Sequence, residues 1–177
     1  MSERQRCFLA IPIDPAAVDV LCSLQPMDEG LRRVPPEQLH ITLHFLGEQD
    51  VAAVIDAVSG IEVVPFDLHV RRLGTFEGRG GDPILWAGIE PSAPLQALHH
   101  TLGVALGTLG FQPESRPYRP HITLGRAKSG YDVAPFLAAD APVLDIAVRG
   151  FELLASEFVD GRPVYTVIQS FWTPPPS

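Results

Sequence analysis

The most constraining feature of this sequence is a tetrapeptide, His-Ile-Thr-Leu, that occurs at residues 40–43 and again at residues 121–124. A single His-x-Thr match would be weak evidence, because short patterns recur by chance. Two copies that are identical over four residues indicate an internal duplication with a period of about 81 residues. A repeat of this length predicts two similar lobes rather than a solenoid.

The order of predicted elements supports the duplication, because it reads β-α-β-α-β twice with one extra strand at the end. Predicted strands cover residues 6–13, 37–46, 66–73, 83–90, 119–126, 143–157 and 163–172. Predicted helices cover residues 15–24, 49–59, 92–110 and 132–139, a loop covers residues 74–82, and a loose tail covers residues 173–177. Each tetrapeptide lies on the second strand of its half.

Strands that outnumber the helices predict an α+β fold with mainly antiparallel sheets. We expect a bilobal architecture in which duplicated β-α-β-α-β units face a central cleft. The whole chain, residues 1–177, is interpreted as one domain with pseudo-repeats at about residues 6–73 and 83–157 and a closing strand near residues 163–172. No linker separates the halves, so the lobes are expected to pack closely.

Composition limits the function classes that the chain can serve. Hydrophobic residues make up 46% of the sequence, enough to form a core, and no apolar run approaches the roughly 20 residues of a membrane-spanning helix. The first residues lead into a short apolar run without the features of a signal peptide, so a cytoplasmic location is expected. Cys7 and Cys22 have neither metal-ligand spacing nor the pattern of a disulfide framework.

The charge distribution favours a small anionic ligand over a broad nucleic-acid surface. The formal net charge of −8 opposes general attraction to nucleic acid. Basic residues are nevertheless concentrated around the second tetrapeptide: Arg116, Arg119, Arg126 and Lys128. Such a group can hold one phosphate on an acidic protein, although any one of these residues taken alone is an ordinary surface side chain.

The spacing within the tetrapeptide has a direct structural meaning. Alternate residues of a strand share a face, so His40 and Thr42 project together while Ile41 and Leu43 point into the core. The same alternation holds for the second copy. If the two strands face each other, two imidazoles and two hydroxyls meet across a groove.

Such a site suits phosphodiester chemistry. Histidine titrates near neutral pH, so one ring can remove a proton from water while the other, in its charged form, protonates the leaving oxygen. The hydroxyls of Thr42 and Thr123 can donate hydrogen bonds to the phosphate oxygens, where charge resides in the transition state. We therefore predict that His40 and His121 form a catalytic acid–base pair.

The remaining histidines are weaker candidates. His44 continues the face of His40, but the second copy has Gly125 at the matching position, so a lining role is expected instead of a catalytic one. No partners are identifiable for three others, which are interpreted as ordinary residues: His69, His99 and His100.

Longer segments around the two motifs resemble a known family. Residues 6–11 (RCFLAI), 34–47 (VPPEQLHITLHFLG) and 116–126 (RPYRPHITLGR) are similar to the opening strand and the two motifs of the bacterial RNA 2',3'-cyclic phosphodiesterases, formerly called 2'-5' RNA ligases. Residues 84–86 and 163–165 resemble the same family, which belongs to the two-histidine (2H) phosphoesterase superfamily. The resemblance covers nearly the whole chain.

The resemblance implies a bilobal fold with a V-shaped cleft, hydrolysis of an RNA 2',3'-cyclic phosphate to a 2'-phosphate, and no metal or nucleotide cofactor. It also implies that His40 is the proton donor and His121 the proton acceptor, an order that the spacing alone leaves open. The implied partners are RNA ends or oligonucleotides with a 2',3'-cyclic phosphate. Neither a membrane nor an obligate protein partner is implied.

The family carries an arginine at the position of Arg126, which makes this residue a further candidate phosphate ligand. Strict alternation places Arg126 on the face opposite His121, five residues later. It reaches the cleft only if the strand ends or bulges at Gly125, where glycine permits such a break.

Alternative functions stay open on the sequence. Within the superfamily, they are the joining of RNA ends through a 2'-5' bond and the hydrolysis of 2'-5' oligonucleotides or small cyclic nucleotides. A non-catalytic RNA-binding module could use Phe8, Phe76, Trp86 and Tyr118, but binding alone requires no histidine pair. A metal-dependent hydrolase is disfavoured, because no carboxylate lies at ligand spacing from the two histidines.

Overall fold

The computed structural model describes residues 3–172, so the tail predicted at residues 173–177 lies outside the described residues. Within residues 3–172 the strands are β1 (Arg4–Pro12), β2 (Leu31–Arg33), β3 (His40–Asp50), β4 (Phe66–Glu77), β5 (Pro83–Ile89), β6 (His121–Ala127), β7 (Leu144–Val148), β8 (Gly150–Val159) and β9 (Arg162–Trp172). The helices are α1 (Pro15–Leu24), α2 (Val51–Val58), α3 (Ala93–Gly107) and α4 (Ala134–Ala138). No helix in this range is long and apolar enough to cross a membrane.

Side-chain caps begin two of the helices where the sequence predicts them. The Asp14 carboxylate accepts a hydrogen bond of 2.9 Å from the backbone N–H of Ala17, and Pro15 occupies the first helical position of α1. The Ser92 hydroxyl accepts a bond of 3.3 Å from the N–H of Leu95 at the start of α3. These oxygens satisfy backbone donors that have no partner within the helix.

All nine strands of residues 3–172 belong to one sheet, and their pairings are antiparallel. The order is β7-β4-β5-β6-β3-β1-β8-β9, and the short β2 pairs with β6 beside this path. β3 and β6 share a single register pair, Ile41 with Ile122, so the sheet divides into two halves at the strands that carry the tetrapeptides. The predicted α+β class with mainly antiparallel pairing is confirmed.

Each half of the sheet contains strands from both parts of the chain. β4 pairs with β5 and β7, whereas β8 pairs with β1. The duplicated units inferred from the sequence, about residues 6–73 and 83–157, would therefore exchange their last strands rather than fold separately. This exchange ties the two halves together closely.

The strand predicted at residues 143–157 is interrupted at Arg149, which separates β7 from β8. The chain crosses here from a position beside β4 to a position beside β1, in the other half of the sheet. Gly150 begins β8, where an added Cβ would collide with the carbonyl oxygen of Phe171. The crossover therefore requires glycine at this point.

Other predicted boundaries also differ from the structure. β3 begins at His40, because residues 36–38 form a 3-10 turn, and it continues past Gly47 to Asp50. The remaining differences are that β4 extends into the predicted loop as far as Glu77, that α3 ends at Gly107, and that β2 is a strand the sequence did not predict.

One face of the sheet forms the core. Side chains from both halves are fully buried on it, among them Ile11, Ile41, Ile122 and Leu153. Helices pack against the sheet, with contacts from α2 and α3 to β3 and from α1 to β6. The opposite face is therefore left for polar side chains.

Candidate active site

The two tetrapeptides lie side by side at the centre of the sheet. Ile41 and Ile122 form the register pair and are fully buried. In an antiparallel pair, the residues next to a register pair point to the opposite face and lie across from one another. This face therefore carries four half-buried polar residues in two cross-strand pairs: His40 with Thr123, and Thr42 with His121.

Both imidazoles are held in the same orientation by the backbone. Nδ1 of His40 donates a hydrogen bond of 2.6 Å to the carbonyl oxygen of Gln38, and Nδ1 of His121 donates one of 2.8 Å to that of Arg119. A carbonyl oxygen can only accept, so Nδ1 carries the proton in each ring. The neutral form of each histidine therefore has its lone pair on Nε2, which is the atom available for proton transfer.

The two Nε2 atoms differ in their contacts. Nε2 of His40 lies 2.9 Å from the hydroxyl oxygen of Thr42. Within residues 3–172, Nε2 of His121 makes no such bond. The site is thus nearly symmetric in its backbone but unsymmetric in the atoms that would meet a substrate.

The pKa values of both histidines lie below the ordinary value of 6.5. Burial lowers the pKa of His40, its bond to the Gln38 carbonyl opposes this, and the neighbouring His121 lowers it further. Burial also lowers the pKa of His121, its bond to the Arg119 carbonyl opposes this, and the positive charge of Arg126 lowers it further. The free protein therefore favours neutral rings, and a bound phosphate anion would raise both pKa values.

Aromatic rings enclose His40. Its imidazole packs against Phe8, at 5.2 Å between ring centroids, and against the edge of Tyr165 at 5.5 Å. Gln38 helps to assemble this wall, because its side-chain amide donates a bond of 3.0 Å to the carbonyl oxygen of Pro163 near the start of β9. The residue that orients His40 therefore also holds the strand that supplies Tyr165.

A second aromatic wall lies beside His121. Phe76 meets its imidazole edge-on at 4.9 Å, and Trp86 lies 6.3 Å away. The guanidinium of Arg72 stands 5.6 Å from the Trp86 ring centroid, and Gly74 leaves the space that the indole occupies. Both histidines are therefore shielded from water on one side, which is the burial that lowers their pKa values.

A β-bulge brings Arg126 to the site. The register of β5 on β6 skips Leu124, which is therefore the extra residue of the bulge. Arg126 then pairs with Ile84, on the face of β5 that adjoins the histidines, and it is exposed there. Strict alternation predicts the wrong face for Arg126, and the break that it needs lies at Leu124, directly before Gly125.

A matching bulge in β3 changes the positions of His44 and Phe45. The register of β1 on β3 skips Leu43. His44 is therefore buried, its Nε2 donates a bond of 2.8 Å to the carbonyl oxygen of His99, and the two rings stack at 4.1 Å. The predicted lining role of His44 is wrong. Continued alternation from Ile41 and Leu43 would turn Phe45 into the core, but its side chain is 67% exposed on the side of the site, 5.9 Å from the Phe8 ring.

Known proteins share this arrangement of strands. The sequence profile of the 2'-5' RNA ligase superfamily matches residues 13–156. The chain belongs to this superfamily. An RNA 2',3'-cyclic phosphodiesterase from Thermus thermophilus is 31% identical over 175 residues, which cover 93% of this chain and 86% of the relative. The protein of the same name from Methanocaldococcus jannaschii is 31% identical, with coverage of 94% and 99%. The crystal structure of E. coli LigT in its apo form is 29% identical, covers 97% of this chain and 98% of LigT, and has a TM-score of 0.80.

In this superfamily member, Tyr118 connects the two motifs. Its hydroxyl donates a hydrogen bond of 2.8 Å to the backbone carbonyl of Thr42, and its ring stacks on His99 at 3.9 Å. Tyr118 precedes His121 by three residues, so it ties the segment that leads into β6 to the strand that carries the first motif. Because β3 and β6 share only one register pair, this bond is a second connection between the two histidine strands.

Sequence reasoning missed several residues around the site. From the sequence, Tyr118 is a candidate only for base stacking, and strand alternation places Phe45 in the core. The proline-rich segment before His121 contains the signal, a large aromatic side chain, and Tyr118 is half-buried there against the strand of the first motif. His69 lies elsewhere, where its Nδ1 pairs with Asp145 at 2.7 Å.

Proposed function

We propose that this protein hydrolyses the 2',3'-cyclic phosphate at the 3' end of RNA and leaves a 2'-phosphate. The observation that carries the proposal is the pair of imidazoles, His40 and His121, held by equivalent backbone bonds on one face, each across from a threonine. The curated relatives are RNA 2',3'-cyclic phosphodiesterases by name. RNA is available in the cytoplasm, which stays the predicted location.

The asymmetry of the two rings supports an order of proton transfer. Nε2 of His121 makes no bond within the described residues, so in the neutral ring it can take a proton from water. The water oxygen attacks phosphorus, the bond from phosphorus to the ribose 3'-oxygen breaks, and protonated His40 supplies the proton to that oxygen. His121 ends protonated and His40 neutral, and exchange with solvent restores the starting state.

Neutral donors and one cation would hold the phosphate. The hydroxyls of Thr42 and Thr123 lie on the reactive face and can donate to the non-bridging oxygens. Arg126 reaches the same face through the bulge and supplies a positive charge. Phe45, exposed beside Phe8, offers a flat surface on which the terminal base can stack. Neither a metal nor a nucleotide cofactor takes part in these steps.

The test of the function is turnover of an RNA that ends in a 2',3'-cyclic phosphate, with a chelator present. We expect complete conversion to a 2'-phosphate end, identified by separating the two phosphate isomers. A product with mostly 3'-phosphate ends would show that the 2'-oxygen leaves, so the substrate would lie in the opposite orientation between the same two histidines. Loss of turnover on chelation, with recovery on addition of a divalent ion, would refute the metal-free mechanism.

The pH dependence of kcat/KM is expected to be bell-shaped with its maximum below about pH 6.5. With increasing pH, kcat/KM rises as His121 loses its proton and then falls as His40 loses its proton. Both pKa values lie below 6.5 in the free protein. The two apparent pKa values belong to the coupled pair. Initial rates between pH 4 and 9 at low substrate concentration measure the profile, and a flat curve would contradict the mechanism.

Tyr118 is expected to act as a positioning residue. The substitution Tyr118→Phe keeps the ring that stacks on His99 and removes the bond to the Thr42 carbonyl. We expect kcat to fall about threefold to tenfold, in line with the roughly 0.5–1.5 kcal/mol of one neutral hydrogen bond, while KM stays nearly constant. Kinetics of Thr108→Val, which removes a hydroxyl–carbonyl bond at the end of α3, provide the control. Equal kcat losses in both variants would show that Tyr118 acts through general stability alone.

A further inference from the structure

A groove lined with basic residues begins where the candidate active site ends. It lies between β2, the start of β5, the end of β6 and the start of β9, and it encloses about 1110 Å³. That volume exceeds the roughly 300–1,000 Å³ of a typical small-molecule pocket. Its basic lining residues are Arg32, Arg79, Arg126, Lys128 and Arg162.

This concentration of positive charge is unusual for the chain. The sequence has 13 basic and 21 acidic residues, yet five of the basic ones line a single groove. None of these five side chains forms a salt bridge or a hydrogen bond with another part of residues 3–172. Two acidic residues, Glu29 and Asp82, also line the groove, and the Asp82 carboxylate already accepts a bond of 2.8 Å from the backbone N–H of Ser129. The groove therefore offers unpaired cations to an anionic ligand.

Arg126 joins the groove to the histidine pair. It lies on the histidine face of β6, close enough to lower the pKa of His121, and it also lines the groove. Arg32 on β2 pairs directly with Arg126, which extends the basic surface sideways. Lys128 follows the end of β6, roughly 23 Å along the strand from His121 at ~3.3 Å per residue. A ligand that fills both sites must therefore be longer than one nucleotide.

We propose that this groove binds the phosphodiester backbone of the nucleotides that precede the cyclic phosphate in an RNA substrate. The inference rests on the proposed function, because a 2',3'-cyclic phosphate ends the strand and the rest of the RNA continues from the 5' side of that nucleotide. A track of unpaired cations beside the reactive phosphate suits a single strand of regularly spaced negative charges. The protein then selects RNA ends over cyclic mononucleotides.

The experiment compares two double variants that remove the same charge. Arg79→Gln/Lys128→Gln removes two cations of the groove, and Arg33→Gln/Arg149→Gln removes two exposed cations outside it. Fluorescence anisotropy measures the Kd of a 5'-labelled single-stranded RNA of about 12 nucleotides that ends in a 2'-phosphate, at several salt concentrations. In parallel, kcat/KM is measured for the same RNA with a cyclic phosphate end and for adenosine 2',3'-cyclic phosphate.

For the groove variant we expect the Kd for RNA to rise about tenfold and the slope of log Kd against log salt to fall by about 1.4, the value for two lost contacts with a single strand. The kcat/KM of the groove variant should fall for the RNA but stay within about twofold of the unsubstituted protein for the mononucleotide. The kcat/KM of the control variant should stay within about twofold for both substrates. Equal effects of the two double variants, or unchanged RNA binding, would overturn the proposal.

Binding and turnover separate the two proposals. If the unsubstituted protein hydrolyses neither substrate but the groove variant binds RNA more weakly, the proposed reaction is refuted and the groove is still an RNA-binding site. If the protein hydrolyses the RNA but the groove substitutions leave the Kd for RNA unchanged, the groove proposal is refuted and the proposed reaction is retained.

Discussion

The substitutions His40→Asn and His121→Asn are each expected to reduce kcat for an RNA 2',3'-cyclic phosphate by about 10²–10⁴-fold, the usual effect of losing a general acid or base. The asparagine amide lies near the position of Nδ1, so it can still donate to the carbonyl oxygen of Gln38 or Arg119. Asparagine has no atom that corresponds to Nε2, so it cannot give or take a proton there near neutral pH. These variants therefore remove proton transfer while keeping the local backbone bond.

Alanine at position 40 provides the comparison for stability. His40→Ala also removes the ring that packs on Phe8 and Tyr165, and it leaves the Gln38 carbonyl without its donor. We expect it to be less stable than His40→Asn by roughly 1 kcal/mol, with a similar loss of activity. Thermal melting and steady-state kinetics on the same preparations distinguish a chemical defect from unfolding.

Related substitutions sharpen the test. The double variant His40→Asn/His121→Asn should be little slower than either single variant, because the two rings act in one step. Thr42→Ala and Thr123→Ala should cost about threefold to tenfold each, since each removes one neutral donor. If either asparagine variant kept near-full kcat with an unchanged melting temperature, the acid–base pair would be refuted.

Arg126→Gln is expected to lower kcat/KM by about 10–100-fold and to move the acidic limb of the pH profile to higher pH. A hydrogen bond from a charged donor contributes roughly 1.5–3 kcal/mol, which sets the size of the rate effect. The direction of the shift follows from electrostatics: Arg126 lowers the pKa of His121, so removing it raises that pKa. His121 then stays protonated at a pH where the unsubstituted protein already has a neutral base.

Arg126→Lys separates charge from geometry. Lysine keeps the positive charge near His121, so the acidic limb should stay near its original pH, but it lacks the planar fork that fits two phosphate oxygens. We expect a rate between those of the glutamine variant and the unsubstituted protein. An unchanged rate and an unchanged pH profile for Arg126→Gln would show that this side chain does not act on the phosphate or on His121.

The residues of the two tetrapeptides could be placed from the sequence alone. Strand alternation is a local property, so it correctly puts His40 and Thr42 on one face and Ile41 on the other, and the repeat extends this result to the second copy. The α+β class and the helix starts at Asp14 and Ser92 also follow from local signals. These features depend on only a few consecutive residues.

The same alternation fails immediately after each tetrapeptide. The bulges at Leu43 and Leu124 turn His44 into the core and bring Phe45 and Arg126 to the site. A bulge arises where the register of one strand on another shifts, and the partner strand is distant in sequence. No pattern within β3 or β6 alone reveals it.

Long-range packing also decided the rest of the site. The crossover at Gly150 carries the chain from one half of the sheet to the other, and Tyr118 reaches back to the Thr42 carbonyl. The sequence by itself determined which two histidines meet, because a duplicated strand carries each of them to the centre of the sheet. Only the tertiary structure decided which aromatic rings and cations surround them, because strand register depends on contacts between residues far apart in the chain.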